Sequence, residues 1–344
     1  MNNQLKYYPK LDHLRFYAAF LVILSHYFPI VKNLGSLGVT LFMVLSGFIL
    51  TVIVQAGGKE IVYKDFIFKR FLRIFPLFAF LFFILYSLGR KSFEADTLFY
   101  LFFLQTNIGA AGTGFGHDII PITGQTWTIA VEFEFYLIFP FLVLFLHRMG
   151  VQYLLKLLFF LICIRYLTSV GIERDYWNYY HTILGRIDQF IIGMLLGWCY
   201  VYKKLNFNKF TNLFILFLSI AILPFFYSHN IVHSRVIGLT IESILSAGII
   251  WGYSQSTLIY FPQFINKTLE IFGKISYSIY LLHILILLAL TKMNVFSIYI
   301  FSDPFINKLA ILLLIIMPVI LFISYLSYSV IEKPFMSLGK KYIK

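Results

Sequence analysis

Ionisable side chains embedded in long apolar runs are where this sequence can do chemistry. Asp12, Arg15 and His26 sit in Leu11-Asp12-His13-Leu14-Arg15 and the apolar run that ends at Ser25-His26. On a helix, eleven steps of 100° bring His26 to within about 20° of Arg15, and fourteen bring it to within about 40° of Asp12. The three therefore share one face, with Arg15 and His26 about 16 Å apart along the axis. Such a stripe can carry a reaction from one helix end toward the other. It also fits a capping Asp12, an Arg15 reaching for head groups and a packed His26. Arg70 and Arg73, in Lys69-Arg70-Phe71-Leu72-Arg73-Ile74-Phe75-Pro76, are i,i+3 neighbours. Two adjacent guanidiniums suit a phosphate or pyrophosphate, and equally an anionic lipid surface.

Further acidic, aromatic and histidine groups recur downstream. Glu132 and Glu134 follow Trp127 within one apolar run. They are about 200° apart, so at most one lines a given cavity. Asp188 lies in Gly185-Arg186-Ile187-Asp188-Gln189-Phe190, at roughly the depth expected for His26. His283 stands alone in an apolar run and reads more as packing than as a ligand. Glu332 precedes Lys333-Pro334 at a helix end, level with Arg15, Arg70 and Arg73, and can be an ion-pair partner for one of them. Charged groups in a bilayer are costly, which marks them as functional candidates.

The elements that hold these groups must be membrane helices. Of 344 residues, 60% are hydrophobic and 12% charged, and the mean hydropathy is +0.83. That excludes an ordinary soluble domain and a disordered chain. Two cysteines support neither a disulfide framework nor a thiolate metal site, and no metal-binding motif is present. A net charge of +13 would point to nucleic acid in a soluble protein; here it fits basic loops on one side of a membrane.

Apolar runs long enough to cross a bilayer fall at 13–30, 36–55, 66–88, 127–147, 151–170, 180–201, 211–228, 235–253, 274–291 and 305–331. The stretch 96–107 is short and precedes a glycine-rich loop. Without it, about ten transmembrane helices remain, both termini are cytoplasmic, and Lys and Arg divide 19 inside to 8 outside, the expected bias. The first helix contains Arg15 and His26 and lacks a cleavage site, so it is not a signal peptide. No repeat or composition shift divides the chain, so residues 1–344 read as a single membrane domain with no soluble domain appended. Phosphate-loop and nucleophile-elbow motifs are absent, as are the paired broken helices of inverted-repeat transporters.

In order along the chain, these segments resemble the acyltransferase 3 family of integral-membrane O-acyltransferases. The matching segments are Leu11-Asp12-His13-Leu14-Arg15 with Ser25-His26, Ser46-Gly47-Phe48, Arg70-Phe71-Leu72-Arg73, Trp127-Thr128-Ile129-Ala130-Val131-Glu132, Arg186-Ile187-Asp188-Gln189-Phe190 with Gly193, Ser276-Tyr277-Ser278-Ile279-Tyr280-Leu281-Leu282-His283, and Ile331-Glu332-Lys333-Pro334-Phe335. The family often has glycine where His13 stands, and Glu-Gln where this chain has Phe133-Glu134. The second departure leaves Glu132 as the matching carboxylate.

The resemblance implies transfer of an acyl group, most often acetyl, from cytoplasmic acetyl-CoA to a hydroxyl of a surface glycan such as O-antigen or exopolysaccharide, in a bacterial inner membrane. No tightly bound cofactor is expected. Acyl transfer needs cations for the CoA phosphates, a base for the hydroxyl and donors for the oxyanion. Arg15, Arg70 and Arg73 are the expected donor-binding residues. His26 is the expected base or acyl carrier, with Glu132 as the second catalytic group. Asp12, Trp127, Asp188, His283 and Glu332 are supporting candidates, and Glu132 or Asp188 would orient His26 or bind the sugar. The rival reading is a transporter or flippase of a lipid-linked saccharide, without chemistry.

Overall fold

The computed structural model describes residues 9–31, 33–57, 61–89, 124–171, 180–229 and 236–342. The stretch 96–107 and the glycine-rich loop lie outside them. The long helices are α1 Pro9–Tyr27, α2 Asn33–Gly57, α3 Tyr63–Gly89, α4 Trp127–Met149, α5 Gln152–Gly171, α6 Ile183–Val201, α7 Lys209–Ser228, α8 Gly238–Gln255 and α10 Ser276–Lys292. A shorter α9, Gln263–Lys274, precedes α10. The last rod is α11 Pro304–Ile311, α12 Met317–Ser327 and α13 Lys333–Tyr342, joined by π turns at Leu312–Ile316 and Tyr328–Glu332. No strand occurs among the described residues.

This is an all-α, multi-pass membrane protein. By length and composition, five helices among the described residues are apolar enough to cross a membrane, and six if the pair α9 and α10 counts as one span bent by 71°. The outer faces of the bundle's helices carry large exposed rings, Phe159 and Phe160 of α5 and Phe214 and Phe217 of α7 among them. That is the pattern of helices solvated by lipid, where no polar solvent penalises exposed apolar surface.

α2 is the centre of the bundle: 72% of its apolar window is buried, against 28% for the peripheral α7. Its closest neighbour is α6. A Cβ on Gly47 would strike the Phe190 carbonyl, and one on Gly193 would strike the Val44 carbonyl. Only glycine lets the two backbones approach so closely, which accounts for Gly47 in α2 and Gly193 in α6.

α9 was not among the expected segments. It is 12 residues long and strongly amphipathic, so no window of spanning length reveals it. Its end packs on the start of α1, where a Cβ on Gly273 would collide with the Asp12 carbonyl. His13 completes this joint. Its Nε2–H donates to the Asn266 carbonyl at 3.2 Å, and its Nδ1 accepts from the Tyr253 hydroxyl at 2.9 Å. Histidine at this position thus ties α1 to α8 and α9.

Candidate active site

A cavity of about 70 Å³ opens between α1, α2, α3, α4 and α10. Arg15, Arg73 and Glu132 line it together with Ser46, Tyr136 and Tyr280. Five helices from separate segments of the chain therefore converge on one space. Glu132 accepts from the Ser46 hydroxyl at 2.8 Å and from the Tyr136 hydroxyl one helical turn on. Arg15 meets Asp12 at 3.4 Å and has Arg73 and Glu132 as charged neighbours. Arg70 is not on the cavity wall. Its guanidinium lies over the Phe66 and Tyr136 rings, 5.4 Å from each centre, so it backs Tyr136 from behind. The result is a cationic slot with one carboxylate, suited to a phosphorylated thioester.

His26 lies outside this cavity, in a separate pocket of about 460 Å³ with Tyr27, Thr291 and Lys308. Among the described contacts, Glu132 and Asp188 bond to other groups and not to His26. The residue beside it is His283, fully buried, with Nε2 3.2 Å from His26 Nδ1. The expectation of an isolated His283 is thus corrected: the two residues are 257 positions apart and only the fold brings them together. Carbonyls fix the proton positions. His26 Nδ1–H donates to Val22 O at 2.9 Å, and His283 Nδ1–H donates to Tyr280 O at 2.5 Å. His26 Nε2 therefore keeps its lone pair and His283 Nε2 can only accept, from His26.

Asp188 is fully buried in α6 and is held by Arg165 at 2.7 Å and by the Thr240 hydroxyl at 2.5 Å. Arg165 is buried within α5 as its counter-charge. Glu332 accepts from Ser278 in the last π turn. Among the described residues no ion pair joins it to an arginine, although Arg73 is a charged neighbour. Trp127 is half-buried, with the Arg186 guanidinium 5.1 Å from its ring centre.

Two groups escaped the sequence reading. Glu242, fully buried in α8, accepts from Tyr227 at 2.6 Å and from Ser36 and Thr40 at 2.9 Å each. It is an acid inside a predicted span, which is the same signal that marked Glu132. Tyr280 supplies both the cavity wall and the carbonyl that orients His283; as one tyrosine among 24, it carries no such signal.

A family model described as an acyltransferase domain matches residues 8–329, nearly the whole chain. The protein belongs to the acyltransferase 3 family. No curated protein and no solved structure shows a significant match.

Proposed function

We propose that this acyltransferase takes an acyl group, acetyl in the first instance, from cytoplasmic acyl-CoA and passes it to a hydroxyl of a cell-surface glycan. The observation that supports this most is the alignment of two sites along α1. Arg15 and Arg73 line a cavity whose wall includes Tyr280, one helical turn from His283 and its partner His26. About 16 Å of helix separates Arg15 from His26. A long, thin thioester arm with phosphates at one end and the acyl carbonyl at the other suits that spacing.

In this reading the arginines hold the phosphates. His26 Nε2 removes the proton of the sugar hydroxyl, whose oxygen attacks the thioester carbonyl. The tetrahedral intermediate collapses, the C–S bond breaks, and the imidazolium returns its proton to the CoA thiolate. Transfer through an acyl-imidazole on the same nitrogen gives the same products in two steps. The chain crosses a bacterial inner membrane ten times with both termini in the cytoplasm. The alternation of the helices supports this, since Lys10, Tyr253 and Ser256 lie together at the Asp12 end, while Ser36 and Glu242 lie together at the other.

The test is reconstitution with radiolabelled acetyl-CoA and glycan from a deletion strain, with mass spectrometry of the product. Labelled glycan and released CoA are expected. Unlabelled glycan with no CoA release would favour the flippase reading.

A further inference from the structure

Arg186 is the largest fully buried side chain among the described residues, and it is only partly used. Its Nε–H donates to the Tyr180 carbonyl at 2.8 Å, and its plane lies 3.9 Å from the Tyr180 ring centre and 5.1 Å from that of Trp127. Both terminal nitrogens are buried with no hydrogen-bond partner. Gln189, three residues on and equally inaccessible, has neither its amide nitrogen nor its amide oxygen partnered. An unmet buried polar atom costs about 1–3 kcal/mol. Four on one face of one helix therefore call for an occupant.

Position and charge narrow its chemistry. Arg186, Gln189 and Gly193 repeat at i, i+3 and i+7, so they share the face that Gly193 presses against α2. On this side of the bundle, Glu242 is held by Ser36 and Thr40 of α2 and is a charged neighbour of Arg186. Arg186 is also an electrostatic neighbour of Tyr280, which lines the donor cavity. The guanidinium thus has a counter-charge without spending its terminal N–H groups on it. An anionic ligand would meet Glu242 as a like charge. A neutral polyol would not, and vicinal hydroxyl oxygens match two parallel N–H donors, while the amide both donates and accepts.

We infer that Arg186 and Gln189 form the subsite for a neutral sugar ring of the acyl acceptor, binding a vicinal diol beside the Trp127 and Tyr180 rings. The inference rests on the proposed glycan acceptor and names the part of the chain that selects it.

Protein reconstituted in nanodiscs is titrated with methyl glycosides of neutral hexoses and, separately, with the methyl glycoside of glucuronic acid. Tryptophan emission and thermal melting report binding. Neutral glycosides are expected to bind wild type, and Arg186→Gln and Gln189→Ala each to weaken that binding by about tenfold or more. Acetyl-CoA binding by the same preparations reports whether each variant is folded, and Gln189→Ala keeps the test open should Arg186→Gln fail to insert. Binding of the glucuronide alone, of no glycoside, or of neutral glycosides equally well by both variants would overturn the inference. If neutral glycosides bind as expected while acetyl-CoA gives no transfer, the subsite stands and the acyltransfer reading falls.

Discussion

His283 Nε2 sits 3.2 Å from His26 Nδ1, and each ring is anchored by its Nδ1–H on a backbone carbonyl. The arrangement holds His26 in one tautomer with Nε2 free. His26→Ala should insert normally, since alanine is comfortable in a membrane helix, yet lose about 10²–10⁴-fold in acyl transfer. Glycan acetylation in a complemented deletion strain, with membrane protein quantified, is the measurement. Normal acetylation by well-expressed His26→Ala would move the base elsewhere.

His283 acts through His26, so its substitution should lower kcat and leave the KM for acetyl-CoA unchanged. A loss of about 10–100-fold is expected for His283→Ala, the size typical of groups that orient a functional histidine. His283→Gln should recover part of it, because the amide oxygen can accept from His26 Nδ1–H. Equal loss in both variants, with a lowered melting temperature, would reduce His283 to packing.

The two arginines of the third helix should differ. Arg73 lines the cavity, whereas Arg70 stacks behind Tyr136. Arg15→Ala and Arg73→Ala each remove a charge-assisted contact worth about 1.5–3 kcal/mol, or about 10–150-fold in acetyl-CoA affinity. Arg70→Ala should cost less, through a loosened Tyr136. Calorimetry on purified variants decides, and equal affinity for wild type and Arg73→Ala would return these residues to lipid anchoring.

How far the site could be read in the sequence depended on the reach of each interaction. Asp12, Arg15 and His26 lie on one helix, so helical periodicity sufficed to align them. Arg73 and Glu132 stood out because charge inside an apolar run is costly, and they do line one cavity with Arg15. Partners were not legible. Arg165 finds Asp188, His283 finds His26 and Ser46 finds Glu132 only through packing of separate helices. α9 was missed because an amphipathic helix of 12 residues has neither the length nor the uniform apolarity of a span. Gly47 and Gly193 appeared as motif letters, but their reason is steric and belongs to the α2–α6 contact.

That contact makes Gly193→Ala a stability test. Its Cβ would collide with the Val44 carbonyl, backbone that cannot rotate away. The helices must separate, at a cost of about 1–3 kcal/mol typical of overpacking. A lower melting temperature in detergent is expected, together with weakened glycan transfer, since Arg186 and Gln189 ride on the same helix. Unchanged melting would mean that α2 and α6 are held apart by more than this contact.

Arg165 and Asp188 are both almost wholly buried and meet at 2.7 Å, with Thr240 closing the cluster. A buried pair contributes little net stability, because desolvating two charges offsets their attraction, but removing one member strands the other. Asp188→Asn and Arg165→Met should each therefore destabilise by about 3–5 kcal/mol. The double variant should recover much of that loss, since it leaves no unpaired charge in an apolar environment. Asp188 spends its described contacts on Arg165 and Thr240, so the double variant should also retain acyl transfer. Melting curves and glycan acetylation for the two single variants and the double variant form a complete cycle. Recovery of stability without recovery of acetylation would place Asp188 in the chemistry, and additive losses in melting would mean that the two charges do not depend on each other.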